Sequence, residues 1–104
     1  MHLELEDGTV ISSPSAEQIA EALASVDGER NSYAILSHTE MTYIQTSGAS
    51  DTGYVLEYQD ESLREHYRSH DEVVSLERVI RAFQQYAKGD DTWKRDFRWV
   101  RGLD

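Results

Sequence analysis

A chain of 104 residues with no cysteine and a formal charge of −10 has room for one hydrophobic core, but no disulfides or thiolate metal sites. Ten aromatics within a 38% hydrophobic content argue against disorder, and no apolar run approaches the roughly 18 residues that span a bilayer. The charge is uneven: residues 1–63 hold 12 acids against the single base Arg30, a net −11, whereas residues 64–104 hold nine bases against eight acids, a net +1.

Leu3-Glu4-Leu5-Glu6 alternates with period two, Asp7-Gly8 breaks it, and Thr9-Val10-Ile11 resumes, which predicts a hairpin with a type I′ turn. This acidic start lacks the basic-then-apolar order of a signal peptide, so a cytoplasmic protein is expected. A helix follows, begun by Ser13 with Pro14 in its first turn or by Ser15 with Gln18 closing a capping box. Ala16, Ile19, Ala20, Leu23 and Val26 recur at helical spacing, and Asp27-Gly28 is expected to end the helix with a left-handed glycine cap.

The middle of the chain reads as β. Tyr33-Ala34-Ile35-Leu36 is one run, broken over residues 37–40, and Met41-Thr42-Tyr43-Ile44-Gln45-Thr46 is the next. Residues 47–53 read as a small-residue loop before Tyr54-Val55-Leu56-Glu57-Tyr58, and residues 63–69 follow the turn at Asp60-Glu61-Ser62 as a polar strand. Short strands joined by tight loops imply an antiparallel meander. Ser75 then caps a helix whose Leu76, Val79, Ile80, Phe83 and Tyr86 form one apolar stripe, and Gly89 stops it. Asp90 and Asp91 begin a short helical turn holding Trp93 and Phe97, and Trp99-Val100 is extended. The expected fold is α+β: an antiparallel sheet of about five strands on two main helices, with Trp93, Phe97 and Trp99 closing one end of the core.

Several patterns bear on chemistry. Asp51-Thr52-Gly53 is the tripeptide of retroviral-type aspartic proteases, but it follows Ala49-Ser50 in a polar loop rather than lying between apolar strands, and reads as a turn. His66 and His70, beside Glu65, Asp71 and Glu72, have a spacing that puts two ligands on one face, yet the segment has no apolar stripe to fix them. A metal enzyme using this pair is therefore the third reading, behind two non-catalytic ones. The carboxylate pairs Glu6/Asp7, Asp60/Glu61, Asp71/Glu72 and Asp90/Asp91 read as turn and cap residues, and the last pair suits the start of a helix. No cofactor motif is present. The bases interleaved with Trp93, Phe97 and Trp99 sum to too little charge for a nucleic-acid surface and are expected to pair with the acidic front. What remains is an acid-and-tyrosine surface of Tyr43, Tyr54, Glu57, Tyr58, Asp60 and Glu61, where carboxylates steer a basic protein and tyrosines anchor it. An exposed sheet edge also allows a homodimer.

The order of elements resembles a bacterial immunity-protein family associated with deaminase-type toxins. The likeness runs from the Asp7-Gly8 turn and the capped helix at residues 15–26, through Tyr43-Ile44-Gln45 and Tyr54-Val55-Leu56-Glu57-Tyr58, to Val79-Ile80-x-x-Phe83-x-x-Tyr86-x-x-Gly89 and a terminal Trp99. The spacer carries Trp93-Lys94-Arg95-Asp96 where that family has an Arg-Pro pair, and Gly89-Asp90-Asp91-x-Trp93-Lys94-x-Asp96-Phe97-x-Trp99 is similar to a related family of small bacterial proteins. The resemblance implies a non-catalytic protein that neutralises a basic toxin domain by masking its substrate site, with no cofactor. The alternative is a small-ligand or regulatory module with its pocket between the sheet and the aromatic C-terminus.

Overall fold

The computed structural model describes residues 1–49, 51–70 and 73–102. Seven antiparallel strands form one sheet: β1 (His2–Leu5), β2 (Val10–Ser12), β3 (Tyr33–Thr39), β4 (Thr42–Ala49), β5 (Gly53–Asp60), β6 (Ser62–Ser69) and β7 (Trp99–Arg101). Their order in space, β2-β1-β3-β4-β5-β6-β7, departs from chain order only at the first hairpin. The class is the expected α+β, but the sheet has seven strands rather than five, because the opening hairpin and residues 99–101 join the same ladder.

Helices α1 (Ala16–Ala24) and α2 (Leu76–Lys88) cover one face. Ile19 and Leu23 of α1 and Val79 and Phe83 of α2 are buried with Leu3, Ala34, Leu36, Ile44 and Leu56, alternate residues of β1, β3, β4 and β5. Burying each large side chain of this kind contributes about 1.5–3 kcal/mol. The intervening strand residues, among them Glu4, Ile35, Gln45 and Glu57, point to the opposite face, on which no helix lies among the described residues.

Local chemistry sets the helix ends. Ser15, not Ser13, caps α1: its hydroxyl accepts the Gln18 N–H, and the Gln18 side chain accepts the Ser15 N–H. Ser25 ends α1, two residues before the expected Asp27-Gly28 stop. Gly28 is left-handed (φ 82°) as foreseen but serves the next loop, where the Asp27 carboxylate accepts the N–H groups of Glu29 and Arg30. Ser75 and Gly89 cap α2 as the sequence indicates, Gly89 at φ 76°. Asp90 caps a short 3-10 helix, Asp91–Asp96, by accepting the Thr92 N–H.

Two turns differ from expectation. In the β1–β2 hairpin only Gly8 has positive φ (94°), and its N–H donates to the Leu5 carbonyl, so the connection is a type I turn with a glycine bulge, not type I′. The small residues after Thr46 are not a long loop: β4 runs on to Ala49, paired with Gly53, and Asp51 and Thr52 lie in the hairpin turn. Gly48 permits this, because a Cβ there would lie 2.3 Å from the Gly53 carbonyl oxygen.

Candidate functional site

The meander converts the charge asymmetry of the chain into an asymmetry across the sheet. The acidic front runs from β1 to the β5–β6 turn, and the chain from β6 onward carries nine of the ten bases. The expected pairing between the halves is largely missing: among the described residues the arginine–carboxylate pairs are Arg30–Asp27 at 3.0 Å and Arg101–Glu65 at 3.1 Å, each within one half. Arg78 instead lies over the Phe97 ring, 4.4 Å from its centre.

Of the six residues expected to form one surface, the strand alternation separates three. Tyr54 is a correction: it is only 2% exposed, facing the helices, and its hydroxyl donates to the Val26 carbonyl at 2.9 Å. It holds β5 to the end of α1. Tyr43 and Glu57 lie on the uncovered face in a polar row with Gln45, Gln59 and His66. Tyr43 donates to Gln59 Oε1 at 3.4 Å, and Gln59 Nε2 donates to the Met41 carbonyl at 3.2 Å. That fixes the amide, so the contact of His66 Nδ1 with Gln59 Oε1 at 3.1 Å puts a proton on Nδ1. Nε2 then faces Glu57 Oε1 at 3.9 Å, while Glu57 Oε2 accepts from Gln45. Burial and then the Glu57 carboxylate push the Tyr43 phenol up, which keeps it a neutral donor.

Tyr58, Asp60 and Glu61 gather elsewhere, at the end of the sheet where the β3–β4 and β5–β6 turns meet. Glu61 has φ 69°, a left-handed conformation unusual for a residue other than glycine, and its N–H donates to the Met41 carbonyl at 3.1 Å. Glu40, Asp60 and Glu61 therefore share this end, and Asp90 and Asp91 face Asp60 across a cleft of about 270 Å³. None of these five carboxylates is in an ion pair among the described residues.

The cleft lies between the sheet and the aromatic C-terminal elements. Tyr58, Tyr86 and Trp93 supply its walls, with His38 and Lys94 beside them. Tyr58 meets Trp93 and Trp99 edge-on, with ring centres 5.0 and 4.7 Å away, and stacks on Tyr67 at 4.9 Å. Trp99 Nε1 donates to the Lys94 carbonyl at 2.9 Å, which fixes the Lys94 backbone beside the cleft. Burial pushes the Tyr58 and Tyr86 phenols up to about 12, so both are neutral through the physiological range.

His66 belongs to the polar row, and the His70 backbone N–H donates to the Arg98 carbonyl. Asp71 and Glu72, weighed beside them, and Ser50 lie outside the described residues. Among the described residues no three His, Asp or Glu side chains converge as a metal site, and no helix is long and apolar enough to cross a membrane. Sequence reasoning missed Gln59, Tyr86 and Lys94 as site residues. The alternation of β5 was the available signal, since period two puts Glu57 with Gln59 and Tyr58 with Tyr54. No protein-family model, curated protein or solved structure matches the chain.

Proposed function

We propose that this chain is a non-catalytic binding module whose acidic turn end docks on a basic protein surface. The observation that carries the reading is that Asp60, Asp90 and Asp91 line one aromatic-walled cleft, with Glu61 and Glu40 in the adjoining β5–β6 and β3–β4 turns, and with no ion pair to neutralise them among the described residues. The strain at Glu61 supports it, since the chain keeps a carboxylate where glycine would be relaxed. Carboxylates at such a rim steer a cationic partner, and the tyrosines and Trp93 give it something to pack on. The resemblance of the helix–glycine–spacer–tryptophan ending to immunity proteins supports a finer version: the partner is a toxin domain whose basic substrate site is masked.

The test begins with the reading frame beside this gene. A neighbour ending in a cationic toxin-like domain is expected to arrest growth when expressed alone and to be neutralised when co-expressed with this chain. Association of the two purified proteins is expected to slow at least tenfold between about 50 and 500 mM salt. Reversing Asp60 and Glu61 to lysine is expected to slow it further at low salt. Salt-insensitive association, or a neighbourhood of metabolic genes with no such domain, would overturn the reading in favour of a ligand module.

A further inference from the structure

The cleft at the acidic end already shows which ligand chemistry it prefers. The Lys94 ammonium lies 5.3 Å from the centre of the Tyr58 ring and 5.6 Å from that of Trp93, the positions a cation takes over aromatic faces. The protein's own lysine thus occupies a cation site. The surrounding groups suit a cation better than an anion: Asp60, Asp90 and Asp91 line the cleft, opposed by Lys94 and the imidazole of His38, whose ring packs 5.3 Å from that of Tyr86. Asp90 is held well below the usual carboxylate range by the Thr92 N–H and hydroxyl, so it stays charged.

A second observation is independent of charge. The Tyr86 hydroxyl is sealed from solvent and has no hydrogen-bond partner. A desolvated hydroxyl without a partner is costly, and native structures seldom keep one without a reason. Tyr86 lines the cleft, and the Asp60 carboxylate acts on its phenol. A ligand that enters beside Tyr86, carries N–H groups and displaces what seals the hydroxyl would donate to its oxygen while the ligand's charge faces Asp60. The side of Tyr58 not taken by β6 and Trp93 is the same aromatic wall on which Lys94 rests.

We infer that the cleft lined by Tyr58, Asp60, Tyr86 and Trp93 is a receptor for one guanidinium or primary ammonium group, and that Lys94 holds the place of that group in the unbound protein. The inference deepens the docking proposal and rests on it for the source of the cation, an arginine or lysine side chain of the basic partner. Binding exchanges one cation for another over the aromatic wall: Lys94 swings out to solvent as the incoming side chain swings in. The exchange keeps the cleft's charge balanced and makes Lys94 a competitor whose removal strengthens binding. A rim that merely attracts positive charge would show no such effect at this one residue.

The experiment uses the whole chain and three probes: the N-acetyl N-methylamides of arginine, lysine and citrulline. Citrulline is the neutral, near-isosteric control for arginine. Titration is followed by the indole N–H resonances of Trp93 and Trp99. The arginine and lysine probes are expected to bind saturably with Kd on the order of a millimolar, the strength available to a ligand of this size. Citrulline is expected to bind at least about fivefold more weakly. Lys94→Met is expected to tighten arginine binding about two- to fivefold, Tyr86→Phe to weaken it about fivefold, and Asp60→Asn about two- to fivefold.

Melting temperatures within a few degrees of the parent chain establish that these variants fold. Citrulline binding as tightly as arginine would overturn the charge assignment. Weaker binding by Lys94→Met would overturn its place-holding role, and no saturable shift in either the parent or Lys94→Met would overturn the site itself. The docking proposal is judged separately: if partner association stays salt-sensitive while the probes fail to bind, only the cleft inference falls. A fourth probe tests the source of the cation: a free diamine, putrescine, that binds tenfold tighter than the arginine probe would overturn a protein side chain.

Discussion

The polar row on the uncovered face and the cleft at the acidic end are built from similar residues but are finished differently. In the row, the Gln59 amide receives Tyr43 and His66 and donates to the Met41 carbonyl, so a residue only 3% exposed has its hydrogen bonds accounted for. His66, 4% exposed on a face where no helix lies among the described residues, is buried by its neighbours in the row. In the cleft, the Tyr86 hydroxyl has no partner. A satisfied buried network specifies structure, whereas an unsatisfied one holds interaction energy in reserve for whatever arrives. The contrast matches a stabilising row and the binding role proposed for the cleft.

The largest expected effect breaks the row. Gln59→Ala leaves the His66 N–H and the Tyr43 hydroxyl without their acceptor, while the Met41 carbonyl keeps only the Glu61 N–H. Each buried group orphaned in this way costs about 1–3 kcal/mol, so a loss of about 2–4 kcal/mol is expected in urea unfolding. A loss under about 0.5 kcal/mol would mean the row is a surface ornament and that His66 is held by packing alone.

A matched pair of hydroxyl deletions sharpens the comparison. Tyr54→Phe removes the donor to the buried Val26 carbonyl and is expected to cost about 1–2 kcal/mol. Tyr86→Phe removes a hydroxyl that has no partner, so the unbound protein is expected to keep its stability or gain up to about 1 kcal/mol. One chemical change gives opposite signs at two tyrosines of one core. Equal losses at both positions, read from urea midpoints at constant slope, would show that Tyr86 is satisfied in solution and remove one support of the cation site.

How far these features were legible in the sequence follows from the range of the forces involved. Capping is local, so Ser75, Gly89 and the Ser15–Gln18 box could be read from side chains three residues apart. A glycine announces a left-handed residue but not which turn needs it: Gly28 is left-handed yet lies beyond the helix it was expected to cap. The ladder through Gly48, Ala49 and Gly53 carries almost no side-chain signal, because backbone pairing between small residues needs none. That is how the paired ends of β4 and β5 passed for a loop. The acids at 60 and 61 were legible as a turn, and Tyr58 as an aromatic near it. Their assembly with Asp90, Asp91 and Lys94 depends on residues some thirty positions apart, brought together by how α2 crosses the sheet. No local pattern records that crossing.

The smallest expected effect concerns the loop after α1, where a carboxylate does for the backbone what the row does for its side chains. Asp27 accepts the Arg30 and Glu29 N–H groups and then the Arg30 side chain, and these contacts lower its carboxyl from 3.8 to about 2. Because the folded value lies below the unfolded one, the stabilisation is fully present above about pH 4 and is lost as pH falls toward 2. Asp7 and Asp90 are shifted in the same direction by their own Thr9 and Thr92 contacts, so Asp27 accounts for only part of the acid sensitivity. Asp27→Asn keeps an oxygen to accept the N–H groups but cannot titrate. Its melting temperature is therefore expected to lie slightly below the parent's at pH 5, and the two curves to converge as pH approaches 2. Parallel curves across that window would show that the loop is held by its backbone alone, with Gly28 rather than the carboxylate setting the path from α1 into β3.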